Sequence, residues 1–251
     1  MDDAPINIET IEDSALLRAW QYRGQSRRLV LCFSGLGKDQ SQVPGYEFAS
    51  ISTGGGEDNV LYFADPNRSW LNEPGLIDQI VAVTEVKKAR WQIDEVVTMG
   101  HSMGGFMACV IPHFTPIDVA LALSPQVSIH PEVVPDDPRW MTHRDAIDNI
   151  DISDVGSYLT ARTQYVVIYG RHGREAPQRD RFPNPDNLHL YVMPRTNHNT
   201  AARLKSLGLL ADLRDLAFDR DFAALHDLMS EGARAALVET PIVEDLAEGL
   251  K

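Results

Sequence analysis

At 251 residues, with 43% hydrophobic and 24% charged content, the chain is long for one small domain and short for two full ones, so one soluble core with a modest insertion is expected. Asp and Glu outnumber Lys and Arg 36 to 23, and the formal charge of −13 would repel nucleic-acid phosphates, which argues against a nucleic-acid partner. The longest apolar runs are strand-sized, which excludes a membrane-spanning helix by length.

The acidic opening stretch, with Asp2, Asp3, Glu9 and Glu12, has neither the basic region nor the apolar run of a signal peptide, and a cytoplasmic location is the default expectation. Leu16 to Tyr22 alternates enough to predict an antiparallel edge strand. Apolar, β-branched runs follow at Leu29 to Phe33, Val60 to Phe63, Val96 to Met99, Val119 to Leu123 and Tyr165 to Tyr169, while the more amphipathic Leu188 to Met193 fits a place nearer an edge. Between them, Leu76 to Lys88 and Gly104 to Phe114 read as helices, the first ending in basic residues that suit a helix C-terminus. This alternation predicts a mostly parallel, doubly wound α/β sheet with helices on both faces. The stretch 125–163 is too long for a simple connection, and its four prolines, Trp140 and Met141 predict a small cap insertion within one domain spanning 1–251. Ala201 to Leu210 and Phe218 to Leu237 have helical composition and would cover the sheet or join a second copy in a homo-oligomer. Cys32 and Cys109 each lie in an apolar run and are expected as buried, reduced thiols.

Gly100 and Gly104 flank Ser102 at the G-x-S-x-G spacing, directly after the strand-like Glu95 to Met99 and before a helix-like segment. In a strand-to-helix elbow the serine occupies a strained conformation, and small neighbours let the two arms approach. A phosphate-binding loop is the competing reading, but the Walker lysine is missing from its place. The helix start would then aim the Met103 N–H at an oxyanion.

The run Gly100-His101-Ser102-Met103-Gly104-Gly105 in this context resembles the serine members of the α/β-hydrolase superfamily, and the resemblance extends over most of the chain. It implies a chain order of nucleophile, acid and histidine. His198, in the short loop after Leu188 to Met193, fits the general base. The acid is expected soon after Tyr165 to Gly170, where the family commonly has an Asp; here Gly170-Arg171-His172-Gly173-Arg174-Glu175 has none. Glu175, before a Pro177 that can open a short helix, is the nearest carboxylate, with Asp180 as the alternative. The second oxyanion donor is expected from Phe33-Ser34-Gly35-Leu36-Gly37, with the Leu36 N–H as the choice.

Ala64 to Trp70 and Ser124-Pro125-Gln126 each follow a strand and should lie on the carboxyl edge where sites form. Gly35, His101, Gln126 and Trp140 are assigned to substrate binding. The sequence contains no metal-ligand cluster, nucleotide-binding glycine fingerprint or other cofactor motif, so metal-free chemistry without a cofactor is expected. The implied activity is attack of Ser102 on a small-molecule ester or thioester through an acyl-enzyme. Amide or peptide hydrolysis uses the same parts, and a non-hydrolytic binding protein or a cofactor-free lyase or peroxidase on the same fold are the other readings.

Overall fold

Consecutive apolar residues in the central strands turn alternately to two covered faces of one sheet, which has nine strands among the described residues. The computed structural model describes residues 6–37, 39 and 41–238, so the acidic opening residues Asp2 and Asp3 lie outside the described residues. In chain order the strands are β1 (Glu9–Asp13), β2 (Arg18–Tyr22), β3 (Arg28–Phe33), β4 (Asn59–Ala64), β5 (Glu95–His101), β6 (Val119–Leu123), β7 (Gln164–Gly170), β8 (Leu188–Met193) and β9 (Ala236–Leu237). The helices are α1 (Ala49–Ser52), α2 (Leu76–Trp91), α3 (Met103–Val110), α4 (Met141–Arg144), α5 (Ala176–Arg179), α6 (Thr200–Ser206), α7 (Leu210–Phe218) and α8 (Phe222–Asp227). The spatial order is β1-β2-β4-β3-β5-β6-β7-β8-β9. From β4 to β8 every neighbouring pair is parallel, while β1, β2 and β9 pair antiparallel at the flanks.

Leu29, Leu31 and Phe33 face a core shared with Leu76 and Ile80 of α2 and Phe106 and Met107 of α3. Val30 and Cys32 face the opposite core, closed by Leu204, Leu213, Phe218 and Leu225 of α6, α7 and α8. Helices therefore cover both faces. All eight residues of α3 are buried, as expected for a helix that is apolar on every side. Cys32 and Cys109 are buried free thiols.

Two expectations change. The stretch around Leu16 to Tyr22 forms β2, yet β1 pairs outside it, so β2 is not the edge. β1 reads ETIED, with too little apolar content to signal a strand, because it needs to bury little on that flank. Phe218 is the end of α7 rather than the start of a helix: Arg220 turns left-handed at φ 58°, and Asp221 then caps α8 by accepting from the Ala224 N–H at 3.0 Å. Ala236 and Leu237, expected as helix, pair with β8 instead. The stretch 125–163 holds α4 and a 3₁₀ turn at Gly156–Tyr158, and it sends Val127, Ile129, Val134, Ile152 and Val155 into the α2/α3 core rather than building its own.

Candidate active site

β5 ends in the sharp turn that carries Ser102. Its φ of 60° and ψ of −123° lie outside the ordinary regions for a side-chain-bearing residue, a strain on the order of 1–3 kcal/mol. The Ser102 N–H donates to the Leu123 carbonyl at 2.9 Å, and its carbonyl accepts from the Phe106 N–H at 3.0 Å, so both sides of the turn are held. The arms approach so closely that a Cβ on Gly100 would stand 2.2 Å from the Gly104 carbonyl oxygen, which only glycine permits. Met103 opens α3, where an N–H has no partner within its own helix.

Glu175 and His198 come from the loops after the adjacent strands β7 and β8. These loops touch through the backbone, the Arg171 N–H donating to the Met193 carbonyl at 2.9 Å and the His172 N–H to the Thr196 carbonyl at 3.0 Å. Gly170 makes this contact geometrically feasible, since a Cβ there would meet the Thr196 carbonyl oxygen at 2.3 Å. Pro177 lies in the first turn of α5, and Glu175 precedes that helix at the end of a 3₁₀ turn. The result is a hydrogen-bonded line. His198 Nε2 lies 2.9 Å from Ser102 Oγ, and His198 Nδ1 lies 3.0 Å from Glu175 Oε2.

The neighbours fix the proton positions along this line. The Trp70 indole only donates, and it meets Gln126 Oε1 at 2.9 Å, so the Gln126 amide nitrogen faces Ser102 and donates to Oγ at 3.0 Å. The Ser102 proton then has His198 Nε2 as its acceptor, which leaves the imidazole proton on Nδ1 to bond the Glu175 carboxylate. At the far end, Arg139 Nη1 donates to Glu175 Oε1 at 2.6 Å. Arg139 also grips Asp137 through Nε and Nη2, each at 2.9 Å, and Gln178 Nε2 donates to Asp137 at 2.9 Å. Gln178 Oε1 in turn accepts from the Val127 N–H at 2.7 Å, tying this network to the chain just past Gln126.

Burial alone would raise the Glu175 carboxyl, but the hydrogen bond and charge of His198, together with Arg139, outweigh it and hold the group below the usual carboxylate range. His101 behaves in the opposite sense. Burial, reinforced by the neighbouring His198, pushes it down to about 4, so it is neutral near pH 7. Its Nε2 lies 2.8 Å from the His198 carbonyl, which can only accept, so Nε2 carries the ring proton and steadies the backbone of His198.

Of the other residues expected at the site, Asp180 stands apart. It ends α5 and pairs with Arg179 at 2.6 Å, because one more turn of chain carries it past the imidazole. The Gly35 N–H donates to Glu47 Oε2 at 3.1 Å, and a Cβ on Gly35 would lie 3.8 Å from the Ser102 Cβ. Leu36 follows on the same loop, pinned by Arg68, whose Nε donates to the Leu36 carbonyl at 3.0 Å and whose Nη2 donates to the Gln42 carbonyl at 2.6 Å. Trp140 is half-buried with its ring 5.7 Å from that of His198, and the Arg139 guanidinium stacks on it at 4.3 Å. The roles of Trp70, Arg68, Asp137 and Gln178 were not read from sequence. Trp70 lay in a stretch expected on the carboxyl edge, but no local pattern links it to Gln126.

No protein-family model matches the sequence, and no curated protein matches it either. Solved structures do match in shape. The chain is similar to the capsule O-acetyltransferase of Neisseria meningitidis serogroup A, at 13% identity and a TM-score of 0.59 over 81% of this chain and 94% of that one. An esterase of Pyrococcus furiosus matches at 14% identity and a TM-score of 0.55, over 84% and 91% of the two chains. A glycosylation-associated protein complex from Streptococcus agalactiae matches at 14% identity and a TM-score of 0.57 over 84% of this chain, which spans about half, 47%, of that one. With the sheet order and the helices on both faces, these likenesses define the class: the chain has the α/β-hydrolase fold. Among the described residues no helix is long and apolar enough to cross a membrane.

Proposed function

We propose that the protein is a serine hydrolase that cleaves an ester or thioester of a small molecule through an acyl-enzyme. The observation that carries this reading is the unbroken line from Ser102 Oγ through His198 to Glu175, with bonds of 2.9 and 3.0 Å. His198 takes the Ser102 proton as Oγ bonds the substrate carbonyl carbon, and Glu175 stabilises the imidazolium that forms. The Met103 and Leu36 N–H groups bind the oxyanion, and Gln126 holds Oγ in line. His198 then returns the proton to the leaving alcohol or thiol. Water, deprotonated by the same imidazole, releases the acid.

A second acceptor has specific support, because a neighbour in shape is described as an O-acetyltransferase. An alcohol in place of water would move the acyl group onto a new oxygen without changing the first half of the reaction. Product analysis with a short acyl ester, with and without an added alcohol, separates the two.

The decisive experiment is fluorophosphonate labelling followed by peptide mass spectrometry, paired with turnover of short p-nitrophenyl esters. Wild type should carry the label on Ser102, and Ser102→Ala should lose both label and turnover. Unchanged hydrolysis by purified Ser102→Ala would refute the nucleophile, and an unlabelled wild type would favour a binding protein.

A further inference from the structure

A cleft of about 570 Å³ opens where the loops after β7 and β8 meet. Its wall includes Arg171, His172, Arg195, Asn197, Asn199 and Arg203, so His198 sits in the chain between two of its lining residues. A second cleft shares Asn199 and Ala202 with it and runs past His101 to Gly37 on the loop expected to supply an oxyanion donor. Ser102 itself forms part of neither wall.

The charge of the first cleft runs against that of the molecule. The chain carries 36 acidic residues and a formal charge of −13, yet among the described residues no carboxylate lines this wall. Several arginines elsewhere are neutralised by ion pairs, as Arg27 is by Asp94, Arg28 by Asp219, Arg139 by Glu175 and Arg220 by Glu95. Arg171, Arg195 and Arg203 have no side-chain hydrogen bond or ion pair among the described residues. All three are exposed, and three cations lining one cleft give it a local positive field that favours an anion.

The details favour a phosphate over a single carboxylate. One bidentate guanidinium satisfies a carboxylate, whereas three guanidiniums match the doubly charged, three-oxygen face of a phosphate ester. His172 accepts the Arg174 N–H on Nδ1 at 3.2 Å, which leaves Nε2–H as a further donor. Arg195 holds a left-handed backbone, φ 52°, where Gly or Asn would sit at lower cost.

We propose that this cleft binds a phosphate group carried by a small-molecule ligand. The phosphate belongs either to the acyl substrate, a reading that rests on the proposed hydrolase activity, or to a separate phosphorylated ligand. The binding itself does not depend on that activity.

Inorganic pyrophosphate is the probe, titrated calorimetrically into the full chain. Wild type should bind it, more weakly as salt rises, and Arg171→Ala/Arg195→Ala should weaken binding by about tenfold or more. Arg195→Lys should lose less than Arg195→Ala, and circular dichroism melts check that each variant is folded. Absence of binding to wild type at millimolar pyrophosphate, or equal binding by the folded double variant, overturns the proposal. The acetyl esters of glycerol and glycerol 3-phosphate then distinguish the sources. A kcat/KM for the phosphorylated ester about tenfold higher, lost in the double variant, assigns the phosphate to the substrate; equal values assign it to a separate ligand. A protein whose Ser102 takes the fluorophosphonate label but which binds no pyrophosphate loses this proposal alone.

Discussion

The indole N–H of Trp70 sets which way the amide of Gln126 faces, by donating to its oxygen at 2.9 Å. Because the other end of that amide meets Ser102 Oγ at 3.0 Å, a residue from the loop after β4 orders a proton on the elbow after β5. Gln126→Leu removes the donor and should lower kcat by about 10- to 100-fold with a smaller change in KM. Trp70→Phe leaves the amide in place but free to rotate, and the loss should be smaller. Steady-state kinetics on a short p-nitrophenyl ester read both, and an unchanged kcat in Gln126→Leu would remove Gln126 from the reaction.

The two carboxylates considered for the acid separate cleanly. Glu175→Gln should cost activity on the order of 10³- to 10⁴-fold, as loss of the orienting acid does in triads of this kind. Asp180→Asn, which loses only a pair with Arg179, should stay within about twofold. The reverse ranking in kcat/KM would hand the role to Asp180.

Arg139 reaches Glu175 from the 125–163 stretch across 36 residues of chain. Arg139→Met should leave a nearly buried carboxylate short of one donor, costing about 2 kcal/mol and lowering Tm by about 4–8 °C. Activity should fall as well, with partial rescue in Arg139→Lys. Calorimetric melts and turnover measured on the same preparations test whether stability and activity move together.

The pH dependence follows from the depressed Glu175 carboxyl. A carboxylate whose folded pKa lies below its unfolded value stabilises the fold above the unfolded value of about 4.3, and that stabilisation is lost as pH falls through the folded one. Urea unfolding of wild type and Glu175→Gln should therefore differ most near neutral pH and converge as pH falls through the depressed folded pKa of Glu175. With His101 pushed down to about 4 and the Glu175 carboxyl held below its usual range, neither group should add a protonation step to kcat/KM near neutral pH. An acid limb of slope two there would contradict this.

Gly170 tests how closely the histidine loop must approach. In Gly170→Ala the new Cβ would stand 2.3 Å from the Thr196 carbonyl and 2.5 Å from that of Asn197, so the His198 loop must move. A shift of about 1 Å there should cost about 100-fold in kcat. Gly173→Ala, in the same loop but with nothing within 4 Å of its Cβ, should behave as wild type.

Parallel strands buried on both faces must be continuous apolar runs, which is why β3 to β8 could be read from the chain and placed in an α/β-hydrolase sheet. The glycines around Ser102 could be read for the same local reason, since a tight turn demands small residues wherever it occurs. β1 and the break between α7 and α8 could not, because the first buries little and the second depends on a backbone reversal at Arg220. Sequence alone left Glu175 and Asp180 five residues apart as rivals, and only the geometry of α5 brings one to His198 while turning the other to Arg179. The same holds for the line from Trp70 through Gln126 to Ser102 and for the Arg139 clamp. The pairs Trp70–Gln126, Gln126–Ser102 and Arg139–Glu175 are 56, 24 and 36 residues apart, and hydrogen bonds over that distance have no period or motif until the sheet brings its strand ends together.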